Sequence, residues 1–153
     1  MKTEVFQLPC AISFEKEGSI TNSGRWAQWR YTAVNPPGEA KADPEIIIEL
    51  AHRIKKLYEK EGGALPEQFT KLTWDYEEGG KVSTHKIAKE INGYFLKDVT
   101  IGDRTYKAGT LVPGFALLQA DGSTSSGNWL YCNSYTEAGN MMARRDRKDA
   151  PNN

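Results

Sequence analysis

Residues 15–29 read E-K-E-G-S-I-T-N-S-G-R-W-A-Q-W, and residues 36–48 read P-P-G-E-A-K-A-D-P-E-I-I-I. The first run carries polar groups of fixed geometry, Asn22, Arg25 and Gln28. The second opens a helix. Asp43 is of a type that caps helices, and Pro44 fits the first turn, where a missing N–H costs nothing. Glu45 complements the positive end of the helix dipole. Ile47, Leu50, Ala51, Ile54, Leu57 and Tyr58 then recur at helical spacing, and Gly62-Gly63 ends the run. A helix is expected over residues 44–61.

Working outward, residues 4–8 alternate and stop at Pro9, the pattern of a short strand ending at a turn. Gly18 and Gly24 bracket an expected loop, and the aromatic run 26–33 reads as a short strand or extended segment. A strand, a polar loop and a long amphipathic helix place this half in the α/β class, at the edge of a layer. The loop at a strand's end is where such folds put ligand contacts. A helical turn is expected near residues 66–72. Ser83 opens a second helix that Asn92-Gly93 stops. Beyond Tyr94 the runs Y-F-L, R-T-Y-K, T-L-V and F-A-L-L, punctuated by Gly, read as short strands. Residues 129–132 are strand-like too, and the chain after Glu137 reads as a frayed end. The expected organisation is an α/β part over 1–62 and a hairpin-rich part over 63–153, α+β overall.

The chain of 153 residues carries 20 Lys plus Arg and 20 Asp plus Glu. A balanced charge argues against non-specific nucleic-acid binding, which needs excess cation. The mean hydropathy of -0.62 suits a small polar domain, or a piece of a larger one. No apolar run reaches the ~20 residues of a membrane span, and residues 1–10 lack the apolar core of a signal peptide.

No complete catalytic set appears. Arg25 offers a planar fork for phosphate or carboxylate; an ion pair with Glu15 or Glu17 is its plainer reading. Asn22 and Gln28 suit the edge of a heterocycle, although an Asn between Thr21 and Ser23 also suits a turn. Ser19 and Ser23 lack a nearby base. His52 and His85 have no partner four residues away to make a metal pair, and both are expected on helix surfaces. Cys10 and Cys132 form no C-x-x-C motif, and Cys10 is expected buried and inert. The Gly- and Ser-rich run 121–127 lacks the Lys of a phosphate loop, so a tight connection is expected. Arg144, Arg145, Arg147 and Lys148, interleaved with Asp146 and Asp149, read as a solvated tail or a surface meeting a missing part.

E-V-F-Q-L-P-C, the two runs quoted first, and L-Q-A-D-G-S-T-S-S-G-N-W resemble the large catalytic subunit of molybdenum- or tungsten-dependent formate dehydrogenases. The wider molybdopterin oxidoreductase superfamily shares a looser pattern, filled here by Leu8, Pro9, Glu15, Gly18, Ser19, Asn22, Arg25, Gln28, Gly38, Glu39, Ala40 and Asp43. The resemblance implies an internal fragment. The αβα molybdopterin-oxidoreductase domain would end within 1–62, with an appended region over 63–153.

It further implies formate oxidation on a metal held by molybdopterin guanine dinucleotides, with 4Fe-4S clusters and an iron–sulfur partner subunit. The setting would be a periplasmic or membrane-associated complex. Metal ligands and cluster cysteines would lie upstream, so no catalytic or metal residue falls in this chain and Met1 is an expression start. Asn22, Arg25 and Gln28 would line the cofactor's edge. The fragment itself would be non-catalytic, with no cofactor bound. Relatives often carry a cysteine near Ser126 or Asn128, and this chain does not. The alternatives are a stand-alone binding or scaffold module, or a subunit acting on another substrate such as nitrate.

Overall fold

A computed structural model describes residues 2–24, 26–125 and 130–143. In chain order the elements are β1 (Gly18–Thr21), β2 (Ala27–Arg30), α1 (Asp43–Glu61), α2 (Pro66–Thr70), β3 (Glu77–Glu78), β4 (Lys81–Val82), α3 (Thr84–Asn92), β5 (Val99–Ile101), β6 (Arg104–Tyr106), β7 (Tyr135–Thr136) and β8 (Gly139–Asn140). Two 3-10 turns, Phe115–Leu117 and Met141–Ala143, complete the set. The mixture of helices and small sheets fits an α/β fragment. Each sheet is a two-stranded antiparallel hairpin: β1–β2, β3–β4, β5–β6 and β7–β8. By packing, the chain forms two units, residues 1–17 with 31–83 and residues 18–30 with 84–153.

The first unit is organised by α1. The helix spans Asp43–Glu61, so Asp43 is its first residue and Ala42, with φ -66 and ψ 147, is the cap. Asp43 does not cap because its carboxylate is drawn to Cys10 and Lys16. Glu45 instead reaches back to the Ala42 N–H at 3.0 Å, one half of a capping box. Gly62, at φ 72, closes the far end by donating to Tyr58 O at 3.0 Å. A Cβ on Gly63 would lie 2.8 Å from the Tyr58 ring, so the chain can pass so close only as glycine. Tyr58 in turn stacks on Phe69 of α2, with centroids 4.6 Å apart.

Only Ile48 of α1 is buried; Ile47, Leu50 and Leu57 of the expected inner stripe stand in solvent. Ile47 and Leu50, with Ile54, Phe69, Leu72 and Trp74, leave an apolar groove along the helix. Residues 4–8 form no strand, because among the described residues no strand pairs with them. Their path continues into a parallel bridge between Cys10 and Lys41, where Ala11 N–H donates to Lys41 O at 2.8 Å.

The second unit has a small core of Phe95, Val112 and Cys132, packed by Val99, Ile101, Tyr106, Leu117 and Leu118. Phe95 and Tyr106 stack with centroids 4.7 Å apart. Asn92, the last residue of α3, is wholly buried. Its amide donates to Val112 O at 2.9 Å, and its oxygen accepts from the N–H groups of Asn133 at 2.7 Å and Tyr135 at 3.2 Å. One side chain therefore satisfies backbone groups on two separate loops, as a buried polar group requires.

F-A-L-L is not a strand. Residues Phe115–Leu117 coil into a 3-10 turn after Pro113-Gly114, which brings Leu117 and Leu118 onto the core. Nor does order end at Glu137, since β8 and a 3-10 turn follow.

Candidate functional site

The expected loop between Gly18 and Gly24 is a hairpin. Its register pairs Gly18 with Arg30, Ser19 with Trp29, Ile20 with Gln28 and Thr21 with Ala27. The ladder extends one step further, Asn22 N–H donating to Trp26 O at 3.3 Å. Side chains alternate along each strand. Ile20, Asn22, Trp26 and Gln28 consequently share one face, and Trp29 lies on the other.

Asn22 and Gln28 are thus brought together on an exposed face. Asn22 also shapes the tip: its Oδ1 accepts from Gly24 N–H at 2.9 Å and Trp26 N–H at 3.4 Å. This Asx turn commits the oxygen and leaves the amide NH2 as the outward group. A Cβ on Gly24 would stand 3.0 Å from the Trp26 ring and 3.2 Å from Asn22 Oδ1. Glycine there is what lets the indole fold over the tip. Arg25 lies outside the described residues.

Trp26, 67% exposed, went unassigned in the sequence reading. Its signal was an aromatic beside a turn glycine, in N-S-G-R-W. The face combines an aromatic plane with amide donors and acceptors. Such a set recognises a flat heterocycle by stacking and by edge hydrogen bonds. It holds no group able to attack or to transfer a proton at neutral pH.

The other candidates are dispersed. Cys10 is exposed rather than buried. Its thiol donates to Asp43 Oδ1 at 2.9 Å, and this hydrogen bond raises its pKa while lowering that of Asp43. A thiol so held is a poor nucleophile. His52 lines the apolar groove of the first unit. His85 is half-buried rather than exposed, with its Nδ1 3.0 Å from Tyr135 Oη.

In the run 121–127, Asp121 accepts from Ser123 N–H and Ser125 Oγ from Tyr94 N–H; these groups serve the chain's own backbone. Residues 126–129 and the basic tail lie outside the described residues. Among the described residues, no three His, Cys, Asp or Glu side chains gather as metal ligands. No helix there is long and apolar enough to cross a membrane.

Residues 6–53 match the family model described as molybdopterin oxidoreductase. This stretch is similar to molybdopterin oxidoreductases. It contains the whole of the hairpin and the start of α1.

Three relatives extend the likeness over almost all of the chain. The formate dehydrogenase subunit alpha of Megalodesulfovibrio gigas is 56% identical over 149 residues, 96% of this chain and 15% of the relative. The formate dehydrogenase major subunit of Haemophilus influenzae is 47% identical, over 97% of this chain and 15% of its own length. The nitrate-inducible formate dehydrogenase major subunit of Escherichia coli is 43% identical, over 97% and 15%. The chain therefore spans about 15% of the length of these relatives. All three are named as subunits, which implies assemblies with further subunits.

Proposed function

We propose that this chain is part of the catalytic subunit of a formate dehydrogenase and supplies one wall of its cofactor pocket. The observation that carries the reading is the near-complete match to subunits bearing that name. Formate would be oxidised to carbon dioxide, releasing one proton and two electrons. When bound, a molybdenum or tungsten ion held by molybdopterin guanine dinucleotide supplies the two-electron acceptor, and 4Fe-4S centres of the parent carry the electrons away. The protein's part is binding, orientation and electrostatics.

The residues present fit the organic part of such a cofactor. Trp26 offers a plane, Asn22 and Gln28 offer amides, and Arg25 is assigned a phosphate or ring edge. Partners would be the rest of the catalytic subunit and an iron–sulfur subunit, in a periplasmic or membrane-associated complex. We take residues 1–62 as closing the αβα domain, in keeping with a family match that ends at residue 53, and 63–153 as the appended region.

The test is Arg25→Ala in the full-length enzyme. Loss of a charged hydrogen bond to the cofactor is expected to lower metal and pterin content or turnover by about tenfold or more. Unchanged metal content and activity would leave Arg25 a structural residue. The 153-residue chain alone should reduce no dye with formate, and formate-dependent reduction by it would overturn the assignment of a wall without a catalyst.

A further inference from the structure

The hairpin that carries Asn22, Trp26 and Gln28 buries little of itself. Among its described residues, 18–24 and 26–30, only Trp29 is buried, at 8% exposure. Its neighbours on β2, Gln28 and Arg30, are exposed. What holds this indole therefore bears directly on the position of the tip. α3 touches this indole directly, and the 3-10 turn Met141–Ala143 packs against β2 as well. The His85 ring stacks on Trp29 with centroids 4.6 Å apart and planes tilted by 33°. His85 is itself fixed by Tyr135, through the 3.0 Å contact from Nδ1 to Oη and an edge-on ring contact at 5.9 Å. Lys89, one helical turn beyond His85, lies over the Tyr135 ring, 5.4 Å from its centre.

We propose that His85 is a positioning residue for the tip: with Tyr135 it clamps Trp29 and so sets where Asn22, Trp26 and Gln28 meet the cofactor. Every link is a ring contact or hydrogen bond within the second unit. An aromatic stack gives the clamp a preferred orientation that aliphatic packing would not. A ring that also makes a hydrogen bond has one rotamer to hold, which keeps the indole in one place. The proposal rests on the reading of the hairpin as a cofactor wall, and the experiment separates the two.

The experiment uses the full-length holoenzyme carrying His85→Ala, His85→Phe, Tyr135→Phe or Arg25→Ala. Hydrogen exchange is followed peptide by peptide, with metal and pterin content and turnover measured alongside. His85→Ala is expected to speed exchange of β1 and β2 amides about tenfold while leaving α1 amides unchanged. His85→Phe, which keeps the stack, should restore most of the protection; Tyr135→Phe, which loses only the hydroxyl, should give a smaller rise. His85→Ala should also lose cofactor to the extent that Arg25→Ala does. Should His85→Ala not fold, the Phe variants carry the comparison.

Unchanged hairpin exchange in His85→Ala, or in Tyr135→Phe where that variant must stand in, overturns the clamp. Faster exchange with full cofactor content, while Arg25→Ala loses cofactor, overturns the positioning role but not the wall. Full cofactor content and unchanged turnover in both sink the wall reading, and the positioning role with it.

Discussion

Cys10, Asp43 and Lys16 show how one exposed cluster sets the chemistry of a thiol. Lys16 binds one carboxylate oxygen of Asp43 and Cys10 the other. The hydrogen bond to Asp43, helped by its negative charge, lifts the Cys10 pKa above the ordinary 9.0, with Lys16 opposing. A pKa raised on folding adds stability that is fully present below the unfolded thiol's value and is lost as pH rises through the folded one. Asp43 runs the other way: its pKa is lowered, first by Cys10 and then by Lys16. Its contribution is present above the unfolded 3.8 and is lost as pH falls through the folded value.

The expected outcome is slow labelling of Cys10 at pH 8, with a labelling midpoint above 9.0. Asp43→Ala removes the acceptor and leaves Lys16, so labelling at pH 8 should become several-fold faster. Thiol-reagent kinetics on the 153-residue chain check this; equal rates in the two proteins would show that Asp43 does not control the thiol. Cys132 is buried and its thiol is also pushed up, by burial, so it contributes only a slow background.

Elements were legible where one signal dominated. α1 announced itself by helical periodicity between Pro44 and Gly62, and α3 by Ser83 and Asn92-Gly93. The β1–β2 hairpin did not, because alternation is visible only when one face is apolar. Here the inner face contributes Ser19, Thr21 and Ala27 around the single Trp29, and the outer face mixes Ile20 and Trp26 with Asn22 and Gln28, so neither face is uniformly apolar. The same reason hid the face shared by Asn22 and Gln28, which only the strand register shows, while the residue types themselves were readable. Residues 4–8 show the converse, a strand pattern with no ladder partner among the described residues.

The entry into α1 yields a prediction at this scale. Ala42 has extended N-cap backbone angles but no side-chain oxygen, so only the Glu45 half of the box forms. Ala42→Ser is expected to complete it and stabilise the first unit by about 1 kcal/mol. Thermal or urea unfolding followed by circular dichroism measures it, with Ala42→Gly as the control that gains no side-chain acceptor.

On the scale of the molecule, apolar side chains outnumber the places this chain has to bury them. In the first unit Phe6 is 79% exposed, Leu50 56% and Leu57 55%. Yet α1 has the amphipathic pattern of a helix meant to cover a core. A buried Leu is worth about 1.5–3 kcal/mol over an exposed one, so this surface represents stabilisation that the chain does not realise by itself. If the chain is embedded in a longer subunit, as proposed above, the groove of Ile47, Leu50 and Ile54 is where that subunit would recover it.

Leu50→Lys separates the two situations. In the 153-residue chain the charge sits in water, stability should move by no more than about 0.5 kcal/mol, and binding of an apolar dye and self-association should both fall. In the full-length subunit the ammonium would be forced into an apolar contact, at a cost above about 3 kcal/mol, and the yield of folded, metal-loaded enzyme should drop. Dye binding and sedimentation on the short chain, set beside expression and metal content of the long one, give the comparison. An equally small effect in both would mean that the groove faces solvent in the complete subunit and that α1 leaves its apolar stripe uncovered there as well.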